Sequence, residues 1–292
     1  MHRVIPSQRW TFQTSRRAGG YEFQVRCNIP SGPLVLGRLL ASFPPVTPRP
    51  EMPTYSLAWV GGERKPLVLD LDGCTIQEVE HAGSMVDWLV GDITRKAVSC
   101  AAGFVAVHAG VVSWNDRAVL LPARPDEGKT TTVAGLARAG FSFLSDELAL
   151  LHLVSDLVHP FPRPLGMEAS SLEVLDGLRA ETPSQYADFR RRTHHIAPDD
   201  LRPNVLGVAC SVAFVVVPRY QEGTGTTLSP MTKAETLFVL GENSLNLESA
   251  GSEGFATLGR IATKAPGYRL EIGDLTLAVD AVRRLFERAG TC

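Results

Sequence analysis

The chain has 292 residues, enough for one large domain or two ordinary ones with a substantial core. At 44% hydrophobic and 21% charged residues it has the composition of neither a disordered tail nor a membrane protein, and its 26 glycines and 20 prolines call for many turns and loops. Lys and Arg (29) nearly balance Asp and Glu (31), so the net charge of −2 gives no overall field to gather nucleic acid or an anionic membrane.

Met1 to Trp10 lacks the apolar block and small-residue cleavage site of a secretory signal, so the expected location is the cytoplasm. Residues 1–97 read as a smaller N-terminal α+β unit. Tyr21 to Ile29 alternates like a half-buried strand, and Arg64 to Leu71 and Thr75 to Val79 read as short strands around an Asp72-Gly73 turn. Between them, residues 43–53 carry five prolines, which exclude helix or a central strand and imply an extended loop or linker. Ala82 to Ala97 has Met85, Trp88, Leu89 and Ile93 at helical spacing and reads as a helix packed on the region C-terminal to it.

Residues 98–292 change to an alternation of strand, loop and helix. Phe104 to Val112 reads as a strand, and Arg117 to Leu121 as a buried strand running into a turn and a helix, Thr130 to Arg138, with Gly140 at its C-terminal cap. Phe141 to Leu144 starts another strand that ends in Ser145-Asp146-Glu147, and Leu148 to Val154 continues extended. Residues 179–203 are polar, rich in Arg and His and bounded by prolines, and read as a candidate lid. Arg190-Arg-Arg-Thr-His-His195 within it is either a phosphate- or acid-binding segment or a solvated helix face. Val208 to Val217 is the most apolar strand; with its flank it makes a run too short for the ~20 residues that span a bilayer, which excludes a membrane anchor. Lys233 to Leu245 and Ala278 to Arg288 read as helices. The five cysteines include no C-x-x-C pair and read as small buried hydrophobes or chance surface thiols.

Chemistry concentrates in Ala123-Arg124-Pro125-Asp126-Glu127-Gly128-Lys129-Thr130, followed by Thr131. A nucleotide-binding phosphate loop is written G-x-x-x-x-G-K-[ST]; here the second glycine, the lysine and the hydroxyl residue are present, and Ala123 replaces the first glycine. In such a loop backbone N–H groups face the phosphates, the lysine reaches the terminal ones and the hydroxyl residue helps to hold Mg2+. Asp126 and Glu127 conflict with that role unless they turn outward, since like charges at ~4 Å repel by ~1 kcal/mol even in water.

His108-Ala-Gly-Val-Val, Ala118-Val-Leu-Leu, Glu127-Gly-Lys-Thr, Leu136-Ala-Arg-Ala-Gly140 and Phe143-Leu-Ser-Asp-Glu147 together resemble the catalytic core of the HPr kinase/phosphorylase family, in its HPr-kinase-related branch. The resemblance covers roughly Phe104 to Pro164. It implies an α/β phosphate-loop kinase core of the HPr kinase/phosphoenolpyruvate carboxykinase type, a mixed sheet with helices. It also implies that Asp146 accepts the proton of a serine hydroxyl, that His108 and Lys129 stand at the transferred phosphate, and that Thr130 and Glu147 orient Mg2+. Asp146 and Glu147 are adjacent, so both serve one site only if the strand bends between them. The relatives' lysine after the R-P element is missing from Arg163-Pro-Leu-Gly-Met-Glu168; Arg163 and, in the Arg219-Tyr220 pair just beyond the apolar strand, Arg219 are further arginines at strand ends within reach of a nucleotide.

The expected function is therefore ATP- and Mg2+-dependent phosphorylation of a serine in a peptide or small protein such as a lasso precursor, with no nucleic-acid or membrane partner. Self-association into a homo-oligomer stays open. Two alternatives remain: a catalytically weak nucleotide-binding regulatory module, or a kinase acting on a small-molecule hydroxyl.

Overall fold

The computed structural model describes residues 10–59, 67–79, 82–175, 178 and 193–289. The expected strand start at 64–66, the lid residues 179–192 with the arginine run 190–192, and the chain ends 1–9 and 290–292 lie outside these. The described chain is mixed α/β. Its first sheet runs in the order β1 (Phe12–Ala18), β2 (Tyr21–Cys27), β3 (Thr54–Trp59), β4 (Leu67–Leu71), β5 (Cys74–Val79), with helix α1 (Gly32–Leu39) crossing between the parallel pair β2 and β3. Asp72 and Gly73 both take positive φ, 52° and 86°, the two-residue turn whose twist suits the β4–β5 hairpin.

The proline stretch excludes helix as expected, yet it is no spacer. Phe43 is fully buried and meets Phe23 and Phe161 edge-on, and the Arg17 N–H donates to the Pro44 carbonyl. Helix α2 (Ala82–Ser99) covers this sheet with Met85, Val86, Leu89, Val90 and Ile93. Trp88, placed on that face by its spacing, is instead 43% exposed: the buried rows are 85/89/93 and 86/90/97, and position 88 falls on their flank. Ala106, Leu148, Leu150 and Phe161 belong to the same apolar cluster, so the first sheet shares its core with elements beyond α2.

Those elements are β6 (Phe104–Trp114), β7 (Arg117–Pro122), α3 (Lys129–Arg138), β8 (Ser142–Ser145), β9 (Leu148–His152), β10 (Leu157–His159), β11 (Leu165–Glu168), α4 (Ala169–Val174), β12 (Thr193–Ile196), α5 (Pro198–Leu201), β13 (Cys210–Tyr220), β14 (Thr227–Met231), α6 (Lys233–Glu242), α7 (Leu247–Lys264), β15 (Gly267–Ile272) and α8 (Leu275–Ala289). The large sheet runs β10-β9-β6-β7-β13-β15-β14, with β8 beside β6; β11 and β12 pair separately. β7, β13 and β15 are mutually parallel, so their carboxyl ends share one edge.

Period-two alternation sorts the side chains into two layers. Val119 and Leu121 of β7 and Phe214 and Val216 of β13 pack with α3 and α8, whereas Ala118, Leu120 and Val215 pack with α6 and α7. Gly140 follows α3 at φ 109°, the left-handed position that ends a helix. β1, α1, β3, β10, β11, α4, β12, β14, α7 and β15 have no counterpart among the predicted elements; α7 carries Gly251 in a non-helical conformation (φ 59°, ψ −149°) that interrupts its pattern. No helix among the described residues is long and apolar enough to cross a membrane.

Candidate functional site

The loop between β7 and α3 lies at the carboxyl edge of the sheet, where a buried strand ends and a helix begins. Ala123 is buried and is not among the residues with positive φ, so the missing glycine costs no backbone strain. The left-handed turns fall instead on Asp126 (φ 65°) and Gly128 (φ 84°), the first being one of the few side chains that tolerates that region. Gly128 is the N-cap of α3 and offers no capping side chain, which leaves the first-turn N–H groups of α3 to an outside acceptor. The Glu127 carboxylate turns back on its own loop, accepts the Arg124 N–H at 2.9 Å and stays out of the lining of the adjoining cavity. Asp126 does line it. Arg124 is tied at 2.6 Å to Glu242 on α6.

Gly110 explains how α3 seats so close to β6. A Cβ there would come within 2.4 Å of Val133 and 3.4 Å of the Lys129 side chain, so glycine allows the first turn to press on the sheet and buries Lys129. The Lys129 ammonium then lies against His108 Nε2 and 3.8 Å from Glu147 Oε2.

The bend that the adjacent carboxylates require is present. Ser145 Oγ accepts the N–H groups of both Glu147 and Leu148, at 3.0 and 2.9 Å, and the β6–β8 register slips at Val111/Val112. The two acids therefore share one guanidinium: Arg163 Nε donates to Asp146 Oδ1 at 3.1 Å and its terminal nitrogen to Glu147 Oε2 at 3.0 Å. Their settings differ. Glu147, with 28% of its side chain exposed, lines the cavity and lies 3.5 Å from His108 Nε2. Asp146 is fully buried and absent from the lining, and its Oδ2 has no hydrogen-bond partner.

Burial alone would raise the Glu147 carboxyl; the His108 hydrogen bond and the charges of Arg163 and Lys129 outweigh it and hold it at about 2. Lys129 is pulled below its ordinary value by burial, against the opposing carboxylates. Arg163 is pushed up by Asp146 and Glu147 despite its burial.

A cavity of about 860 Å3 opens over this cluster, within the usual range for a small-molecule site. His108, Lys129, Glu147 and Arg163 form one flank, β11 and α4 a second, and Tyr220 with Ile272 and Leu275 a third. Thr130 and Thr131 line it as well; Thr131 Oγ1 donates to Ser171 Oγ at 3.1 Å. Of the strand-end pair named from sequence for its arginine, Tyr220 reaches the cavity and Arg219 does not. His195, from the positive cluster, is held at 2.6 Å by Asp87 of α2, away from the cavity lining. Among the described residues no group of three or more His, Cys, Asp and Glu side chains could hold a metal ion. No family model matches the chain, and no curated protein matches it.

Proposed function

We propose that the chain is an ATP- and Mg2+-dependent phosphotransferase with a phosphate-loop kinase core like that of HPr kinase/phosphorylase, acting in the cytoplasm on a serine of a peptide or small protein. The observation that carries this is the convergence of Lys129, His108, Glu147 and Arg163 on one cavity at the uncapped start of α3. A bare G-K-T turn ahead of an ordinary helix would need neither a buried lysine nor two carboxylates clamped on one arginine.

The residues fit a polyphosphate. The first-turn N–H groups of α3, Lys129 and Arg163 would hold its oxygens, and the backbone of residues 124–131, not the Asp126 side chain, would form the cradle. Thr130 would hold Mg2+ together with phosphate oxygens, in keeping with an ion that needs few protein ligands. When bound, that ion neutralises charge on the phosphates. Of the adjacent pair Asp146 and Glu147 only Glu147 meets the cavity, so we assign it the proton of the attacking hydroxyl; proton transfer needs hydrogen-bond reach before it needs basicity. Lys129 and Arg163, once drawn to phosphate, would leave Glu147 with a higher proton affinity than it has beside them. Asp146 then acts as a positioning residue that fixes Arg163.

Intact-mass measurement of acceptor peptides encoded beside the gene, after incubation with ATP and Mg2+, tests the assignment. A gain of one phosphoryl group is expected with the wild type and no gain with Lys129→Ala or Glu147→Gln, while Asp146→Asn should retain a fraction of the rate. Phosphorylation that survives Lys129→Ala would overturn the proposal; loss with Asp146→Asn alone would return the base role to Asp146. One observation favours a nucleotide-binding module without transfer: Asp126, an acidic residue, is part of the cavity lining. That alternative predicts ATP binding with no phosphopeptide.

A further inference from the structure

The cavity is divided chemically. On the flank beside β6 and β8 stand Lys129, Arg163 and His108; on the far flank, at the carboxyl ends of β13 and β15, stand Tyr220, Ile272 and Leu275, with Asp126 and Asp274 also in the lining. Anionic phosphate is favoured on the first flank and disfavoured near the two aspartates. A ligand that carries phosphates and also fills the far side must present an uncharged, partly apolar group there, with hydrogen-bond donors for the carboxylates.

Tyr220 is placed for such a group. It is the last residue of β13, its N–H donates to the Glu127 carbonyl at 3.1 Å, and its register partner on β15 is Ile272. Its Cβ would lie 3.1 Å from a Cβ at Gly128, so the ring springs from directly beside the phosphate loop. The residue is nevertheless 54% exposed. An aromatic residue anchored by its backbone to a phosphate loop, half-open and sharing one lining with Ile272 and Leu275, offers a stacking platform.

Resting on the nucleotide-dependent phosphotransferase reading, we propose that Tyr220 is the nucleobase platform of this site: the base stacks on its ring against Ile272 and Leu275, and the ribose hydroxyls or base amino groups face Asp126 or Asp274. The phosphates then run along the loop toward Lys129 and Arg163. This orientation puts the terminal phosphate, and not the base, beside Glu147.

Calorimetric titration of the full chain with ATP and, separately, with inorganic tripolyphosphate, Mg2+ present throughout, tests this. Tyr220→Ala should weaken ATP about tenfold, the scale of one base–aromatic stack, and leave tripolyphosphate unchanged. Tyr220→Phe should match the wild type with both ligands. Tyr220→Leu, which keeps apolar volume against Gly128, should behave like the alanine variant and guards against a packing defect. Equal weakening of both ligands would overturn the proposal, because the ring would then only prop the loop; unchanged ATP affinity would overturn it as well. Lys129→Ala separates the two levels. If it leaves tripolyphosphate binding at the wild-type value, the phosphotransferase reading falls and the base platform falls with it; if it abolishes that binding, the Tyr220 result judges the platform alone.

Discussion

Two buried polar networks can be compared. Under α2, the Tyr21 hydroxyl donates to the Tyr55 hydroxyl at 3.3 Å, Tyr55 donates to Asp92 Oδ2 at 2.6 Å, and Arg95 holds the other oxygen of Asp92 at 2.8 Å. Beside α3, Asp146 and Glu147 share Arg163, with Lys129 and His108 against Glu147. Both networks bury a carboxylate, and burial with Asp92 pushes the Tyr55 phenol far above its ordinary value, so it remains a donor. In the first network both Asp92 oxygens have partners, and none of its members lines the cavity; its work is to join β2 and β3 to α2. The second leaves Asp146 Oδ2 without a partner and opens Glu147, Lys129 and Arg163 to the cavity. A perturbed ionisable group by itself thus does not separate the two networks; access to the cavity does.

If the second network is charge-critical, Arg163→Met should have the largest effect on stability. It leaves Asp146 buried without its cation, and urea unfolding should show a loss of ~3–5 kcal/mol, typical of breaking one side of a buried pair. An unchanged unfolding midpoint would mean that the two carboxylates do not depend on Arg163. Tyr55→Phe should cost less, ~1–3 kcal/mol, because Asp92 Oδ2 loses its donor, and should leave tripolyphosphate affinity at the wild-type value. Altered ligand affinity in that variant would erase the distinction between the networks.

The smallest effect is acid dependence. The folded Glu147 carboxyl sits near 2 against an ordinary 4.5, so its stabilising contribution is full above 4.5 and is lost as pH falls toward 2. Unfolding curves of the wild type and Glu147→Gln should therefore converge over that interval; a constant gap from pH 6 down to about 2 would show that Glu147 does not titrate there.

Much of the loop was readable residue by residue. Gly128-Lys129-Thr130 after a buried strand led to a helix start, and the adjacency of Asp146 and Glu147 demanded a bend, which Ser145 supplies through its hydroxyl. The acids' different access was not readable: it depends on Arg163, seventeen positions beyond Asp146. At the Arg219-Tyr220 strand end the sequence points to the arginine, whereas the tyrosine is the residue that lines the cavity, since a tyrosine at a strand end looks the same whether it faces solvent or a cavity. Its signal lay in position, at the carboxyl end of a buried strand parallel to β7.

Composition, periodicity and the glycine–lysine–threonine turn suffice for a mixed α/β chain with that turn opening one helix, because these depend on neighbours within a few residues. Which carboxylate faces the cavity, why Gly110 must lack a side chain, and how an N-terminal sheet comes to share a core with Leu148 and Phe161 depend on segments brought together from far along the chain. Local propensities carry no information about such meetings; burial, register and the closing of charge against charge determine them.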